Sequence, residues 1–205
     1  RQGTPAAAQK SYQRAIELNP DFAEAYNNLG SVFKSQNQLT AATNSYQRAI
    51  ELNPNFAEAY NNLGNTFKSQ NQLTEAVTCY QRAVAVNPNL VEAHNNLGVV
   101  FTEQGQLSEA QICFQRILTL TLNSNLIGET YANLGLVVME KGMIQMAIEH
   151  LKQALQLKPT ETNFHTVLLW TLNYSTDHNP TTIFLEHQQF NEQHAKPLAI
   201  FIKPH

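Results

Sequence analysis

Charge is scarce in this sequence. Only 14% of its 205 residues are Asp, Glu, Lys or Arg, and their formal sum is −3. No Lys/Arg stripe gathers on any segment, which excludes the electrostatic footprint of nucleic-acid binding. Long apolar runs are missing as well: none approaches the roughly 18 residues that span a membrane. The first ten residues are polar and small, unlike a secretory signal. A soluble cytoplasmic protein is therefore expected. Cysteine is nearly absent. Cys79 and Cys113 lie 34 residues apart, with Ser11 and Ser45 at the same spacing upstream. Stacked helical units are offset by about 8–10 Å, more than the roughly 4.4–6.8 Å that a disulfide bridges between Cα atoms. Both are expected to be free thiols. Catalytic signatures are missing too: there is no phosphate-cradling glycine loop, no Gly-x-Ser-x-Gly and no His-Glu-x-x-His. His187 and His194 fall on one helix face, about 10 Å apart along the axis. They cannot share a zinc ion without a third ligand nearby. No metal, no cofactor and no catalytic residue is expected in this chain.

What the sequence has is a period. FAEAYNNLGSVFKSQNQL (Phe22–Leu39) returns as FAEAYNNLGNTFKSQNQL (Phe56–Leu73), differing only at Ser31/Asn65 and Val32/Thr66. Looser copies follow at Leu90–Leu107 and Ile127–Ile144. A fixed period of this size means stacked supersecondary units rather than one closed core. Each unit holds two helical patterns. Tyr26, Leu29, Val32 and Phe33 form one apolar stripe over Ala23–Ser35, and Ala42, Tyr46, Ala49 and Ile50 form another over Thr40–Leu52. Gln36-Asn37-Gln38 interrupts between them. Asn53-Pro54 ends the second helix, because a residue before proline avoids the α region.

These positions resemble the tetratricopeptide repeat, whose pattern is an aromatic, Leu-Gly, a second aromatic, Ala, an aromatic, Ala and Pro. The first full copy supplies Tyr26, Leu29-Gly30, Phe33, Ala42, Tyr46, Ala49 and Pro54; the second supplies Tyr60, Leu63-Gly64, Phe67, Ala76, Tyr80, Ala83 and Pro88. The third has His94, Leu97-Gly98, Phe101, Ala110 and Phe114, and the fourth Tyr131, Leu134-Gly135, Ala147, Leu151, Ala154 and Pro159. The resemblance implies an all-α, right-handed superhelix. Gly30, Ala42 and Ala49 then read as sites where helices approach too closely for a larger side chain. The divisions are residues 1–22 (a lone second helix), 23–56, 57–90, 91–127, 128–161, a half-repeat helix at 162–172, a loop and capping helix at 173–195, and a truncated linker at 196–205.

The array has irregular places. Ala6–Leu18 matches a second helix without its first, so the chain reads as a fragment whose end exposes apolar surface and invites end-to-end packing or a homodimer. In the third repeat Ile117 replaces Ala, no proline closes the unit, and Tyr131 arrives three residues late. Either the second helix is longer there or the loop bulges. Asn163–Leu172 reads as one more first helix, with His165, Leu168 and Trp170. Asn173–Pro180 reads as a loop, and Thr181–Ala195 as a capping helix with Ile183, Phe184, His187, Phe190 and His194 near one face.

The stretch Leu172–Leu198 is similar to the segment joining repeats to catalytic domain in O-linked N-acetylglucosamine transferase-like proteins of the SPINDLY type. Leu172-Asn173-Tyr174, Asp177, Pro180, Ile183-Phe184, His187, Phe190, His194-Ala195 and Pro197-Leu198 carry the likeness. It implies a glycosyltransferase parent whose sugar-nucleotide site lies downstream of this chain.

One ladder carries the functional expectation. Asn28, Asn62, Asn96 and Asn133 each precede Leu-Gly on successive first helices, and Asn27, Asn61 and Asn95 sit beside them at a different angle. Ala132 breaks the companion column. First helices line the concave groove of tetratricopeptide superhelices. A carboxamide both donates and accepts, so an Asn clamps the C=O and N–H of a peptide backbone together. Rungs about 9–10 Å apart match about three residues of extended chain. The expected ligand is an unstructured protein segment, and in the transferase family the matching Asn residues hold substrate. A generic scaffold acting through self-association or its convex face is the alternative. A carboxylate clamp built from Lys and Arg fits poorly, since those positions carry Asn27, Asn28, Ser31, Asn61, Asn62 and Asn65, with Lys34 and Lys68 one turn on. His94 and His165 replace a packing aromatic. Glu24, Glu58, Glu92 and Glu129 read as first-turn charges favoured by the helix dipole.

Overall fold

The computed structural model describes residues 5–175 and 180–195. Positions 1–4, residues 176–179 of the 173–180 loop and the whole 196–205 linker lie outside the described residues. Among the described residues eleven α-helices follow one another: α1 (Pro5–Leu18), α2 (Ala23–Ser35), α3 (Leu39–Leu52), α4 (Ala57–Ser69), α5 (Leu73–Val86), α6 (Val91–Glu103), α7 (Leu107–Leu120), α8 (Ser124–Glu140), α9 (Ile144–Leu157), α10 (Thr162–Asn173) and α11 (Pro180–Phe190), with a π-helical turn at Asn191–Ala195. Among the described residues there is no strand and no helix long and apolar enough to cross a membrane. The chain divides into two compact units, residues 1–100 and 101–205. Within each, helices contact chiefly their neighbours in sequence, which is the contact pattern of an α-solenoid.

In unit 1 the expected close approach is present, and its partner is an aromatic ring. A Cβ on Gly30 would lie 2.8 Å from Cε1 of Tyr46, and one on Gly64 would lie 2.6 Å from Cε1 of Tyr80. Both rings are fully buried, as are Ala42, Ala49, Ala76 and Ala83. The buried phenols need partners. The Tyr46 hydroxyl donates to Ser31 Oγ at 3.1 Å, and that of Tyr80 donates to Asn65 Oδ1 at 2.8 Å. One of the two positions that vary between the near-identical copies is thus the acceptor for a buried hydroxyl. In unit 2 the register-equivalent residues are Leu136 and Leu151, so hydroxyl and acceptor vanish together. Gly135 remains, its would-be Cβ 2.9 Å from Leu151 Cγ.

The turn between the two helices of a repeat has one geometry throughout. The Gln38 N–H bonds the Phe33 carbonyl and the Asn37 N–H bonds that of Lys34, at 2.9 Å each. This paired closure satisfies carbonyls a helix end would otherwise orphan, and it requires a left-handed residue at its centre. Asn37 (φ 58), Asn71 (φ 60), Gly105 (φ 72) and Gly142 (φ 78) fill that role in turn. Between repeats, Asn19, Asn53 and Asn87 each accept from the backbone N–H two residues on, at 3.2, 3.1 and 3.1 Å. These turns precede α2, α4 and α6.

The insertion in the third repeat resolves differently from either expectation. α7 has 14 residues, as do α3 and α5, so the second helix is not longer. Instead α8 has 17 residues against 13 in α2 and α4. Four residues, about one turn, are added at its N-terminus, and the loop before it shortens to Thr121–Asn123. Asn123 caps the new turn, its Oδ1 accepting from Asn125 N at 3.0 Å and Leu126 N at 3.3 Å. Glu129 is therefore no longer in a first turn, and it pairs with Lys158 at 2.9 Å. Glu24, Glu58 and Glu92 do lie in first turns, exposed. Ile117, in place of a small residue, is fully buried.

Two readings at the C-terminal end are corrected. On α10 the buried residues are His165, Leu168, Leu169, Thr171 and Leu172, while Trp170 points outward at 66% exposure. On α11 Phe184 and His187 are exposed; Ile183, Glu186 and Phe190 are the partly buried residues. Both errors arise from a face assigned without its packing partner. Ile183 packs on Ile148, Leu151, Leu168 and Leu172. Cys79 and Cys113 are buried free thiols. Burial, and secondarily Glu75 or Glu109, pushes their pKa up to about 11.

The left-handed turns set a stability order. Asn71→Gly should stabilise the chain by about 0.5 kcal/mol, and Asn71→Ala should cost about 1 kcal/mol, because only glycine adopts this conformation without penalty. Urea unfolding followed by circular dichroism measures the order; Ala at or above Asn would contradict the turn assignment.

Candidate functional site

The two Asn columns do different work in unit 1. Asn27 and Asn61 are buried, each 8% exposed. Asn28 is exposed, and Asn62 and Asn96 are half-buried. The columns are tied together across repeats. The Asn62 Nδ2 donates to Asn27 Oδ1 at 2.9 Å, and the Asn96 Nδ2 donates to Asn61 Oδ1 at 2.9 Å. The second Asn of one repeat thus grips the first Asn of the repeat before it. Helical geometry explains the pairing. Adjacent residues on a helix point about 100° apart, so Asn62 turns toward the preceding first helix while Asn61 turns toward the following one. A buried carboxamide needs a partner, and the neighbouring repeat supplies it.

Sequence reasoning placed these residues on first helices but missed the bond between them. The signal was there: two carboxamides side by side, repeated every 34 residues, supply a donor and an acceptor at each step. The bond consumes one N–H of Asn62. Among the described residues no other protein group bonds its carboxamide, so an acceptor oxygen and a second N–H remain. The plane of that amide is already fixed. Asn28 Oδ1 has a long 3.5 Å contact from Asn27 Nδ2.

Asn95 and Asn133 are half-buried, Asn95 in unit 1 and Asn133 in unit 2. Within unit 2 the register that follows Asn133 reads Val167 on α10, and the companion of Asn133 is the buried Ala132. An Asn–Asn link has no counterpart at that step. His94 is half-buried with its Nε2 3.0 Å from the Pro88 carbonyl oxygen; His165 is fully buried. Around the ladder Lys34 is half-buried, and burial holds its pKa below the ordinary lysine value. Among the described residues no group of three or more His, Cys, Asp or Glu side chains is arranged to hold a metal ion.

Family models described as TPR repeat match residues 2–37, 30–70 and 64–105, and one described as tetratricopeptide repeat matches residues 89–160. No curated protein matches. Among solved structures, YrrB, a TPR protein with an unusual peptide-binding site, superposes with a TM-score of 0.77 at 22% identity, covering 91% of this chain and 94% of its own. MamA from Desulfovibrio magneticus RS-1 gives 0.75 at 19% identity, covering 85% and 96%. PilF of Pseudomonas aeruginosa gives 0.73 at 21%, covering 85% and 75%. At these identities the likeness is one of fold.

The inter-repeat bonds separate the two columns by experiment. Asn61→Ala removes a buried acceptor and strands the Asn96 N–H, and should cost about 1–2 kcal/mol. Asn28→Ala, at an exposed position, should change stability by less than about 0.5 kcal/mol. Equal losses in urea titrations would contradict the division.

Proposed function

The chain belongs to the tetratricopeptide repeat family, and on that premise we propose that it holds an unstructured protein segment, in extended form, along the Asn28–Asn62–Asn96 column. The family is one of interaction scaffolds, generally without catalysis. The observation that carries the reading is the tethered carboxamide. Asn62 and Asn96 each spend one N–H on the preceding repeat, which fixes the amide plane. A fixed amide loses little freedom when a ligand bonds its remaining oxygen and N–H. Donor and acceptor on one planar group match the alternating C=O and N–H of an extended backbone, so the ladder reads main chain and is tolerant of side chains. Asn133 holds the equivalent register position within unit 2, in a stretch without the companion Asn. That a solved TPR structure of similar fold has a peptide-binding site supports the class of ligand.

A narrower reading makes this chain the substrate-recruiting part of an O-linked N-acetylglucosamine transferase-like protein. It is supported by the sequence likeness of Leu172–Leu198 alone, beyond the residues that the family models match. Reading frame beyond His205 tests it: a sugar-nucleotide-binding domain is expected, and any other continuation ends it.

Peptide binding is tested with an array of unstructured 12-residue peptides and fluorescence anisotropy on the best binder. Asn62→Ala with Asn96→Ala removes two clamps, each about 1 kcal/mol or somewhat less, so affinity should fall about 10- to 30-fold. Asn27→Ala with Asn61→Ala breaks the same inter-repeat bonds yet leaves the clamping side chains, and should lose clearly less. Unchanged affinity in the first pair, or equal loss in both, overturns the proposal.

A further inference from the structure

Arg82 is set apart from its two register equivalents in unit 1. Arg14, Arg48 and Arg82 recur every 34 residues, each preceded by Tyr-Gln and followed by Ala. Arg14 Nη1 holds Glu17 Oε2 at 2.7 Å, and Arg48 Nη1 holds Glu51 Oε2 at 3.0 Å. In both copies the carboxylate comes from three residues further along the same helix. The third copy departs from this pattern, because the residue three beyond Arg82 is Ala85. Among the described residues Arg82 has no carboxylate within ion-pair distance.

An open cavity of about 510 Å3 lies at this place, between α4 and α5. Tyr60 on α4 lines it, with Thr78, Cys79, Gln81, Arg82 and Ala85 on α5. The exchange of Glu for Ala thus does two things at once. It takes the carboxylate from beside the guanidinium, and it makes position 85 part of the cavity wall. Arg82 Cζ lies over the Tyr60 ring, 5.9 Å from its centroid. Such a contact orients the guanidinium by its face. The N–H donors at its edge stay available.

The charges around the cavity decide what those donors accept. Arg82 is the one charged residue in the lining. A phosphate ester, at about −1.5 to −2, exceeds what a single guanidinium balances. Glu75 works against a second negative charge, since it stands one turn before Cys79 and its field reaches that thiol. A carboxylate is singly charged, planar and able to take two parallel N–H bonds from one guanidinium. Tyr60, Cys79 and Ala85 offer apolar wall, which suits a carboxylate borne on a hydrocarbon stem. Glutamate has that form, and this chain twice sets one against the equivalent arginine.

We propose that Arg82, with Tyr60 and Ala85, forms a receptor site for a glutamate side chain of an interacting protein segment, its carboxylate standing to Arg82 as Glu51 stands to Arg48. The site shares no residue with the Asn column and does not depend on it. The column reads main chain, whereas this cavity reads one acidic side chain.

The full chain is titrated with N-acetyl-Leu-Glu-Leu amide while the Tyr60 ring signals are followed in 1H–13C spectra. They should shift and saturate with a millimolar Kd, a scale suited to a small ligand. N-acetyl-Leu-Gln-Leu amide should bind at least five-fold more weakly. Arg82 and Ala85 are both exposed, so variants there keep the fold. Arg82→Gln should erase the preference for the Glu peptide. Ala85→Glu, which restores the pairing found at Arg48, should weaken that peptide at least five-fold. Equal binding of the two peptides overturns the proposal, as does a preference that survives Arg82→Gln. No shift at Tyr60, or tighter binding of inorganic phosphate than of the Glu peptide, overturns it as well.

Discussion

A glycine lying under an aromatic ring holds each repeat of unit 1 together. Gly30 meets Tyr46 and Gly64 meets Tyr80 at distances a single added carbon would violate. Because the ring lies against bare backbone, the two helices of a repeat approach more closely than a side chain at the glycine would allow. The ring in turn buries a hydroxyl, and that hydroxyl needs an acceptor on the first helix. Ser31 answers once and Asn65 once. Where the ring is lost, as at Leu151, the acceptor is lost as well, but the glycine stays. The constraint is thus steric first and polar second.

The close approach also determines what the Asn pair can do. Successive first helices are near enough for one carboxamide to reach the next, so a side chain poised to meet a ligand is held by its neighbour beforehand. A long, flexible residue at the same place would lose more freedom on binding. Asparagine is short, planar and double-natured, and it serves the fold and the surface with the same group.

Most helices were legible in the sequence because the period was. The stripe over Ala23–Ser35 coincides with α2, and the pattern over Thr40–Leu52 differs from α3 by one residue. Legibility failed where a residue's role depends on something distant in the chain. Trp170 and Phe184 look like core residues to a pattern, yet among the described residues both are exposed. The extra turn of α8 was hidden because three inserted residues are equally compatible with a longer helix before or after the loop; the Asn123 cap decides it. His165 was expected to pack and does, but its bond to His194 spans 29 residues that no local pattern links. The Asn–Asn bonds were missed for the opposite reason. Every residue was identified, and only the partner was unasked.

The two cysteines show what a small-residue niche does to chemistry. At pH 7, a thiol held at about 11 is ionised in roughly one molecule in ten thousand, and the thiolate is the species that oxidises or exchanges. Burial therefore keeps both sulfurs almost wholly in the less reactive thiol form while the chain is folded. Unfolding changes that. A released thiol ionises near its ordinary value of about 8.5, so the unfolded chain gives up protons that the folded chain retains. The folded state keeps this advantage in full below that pH and loses it progressively as alkali carries the solution toward 11. Reactive sulfur thus becomes a marker of lost structure, and strong base draws out the same exposure that opening the repeats would.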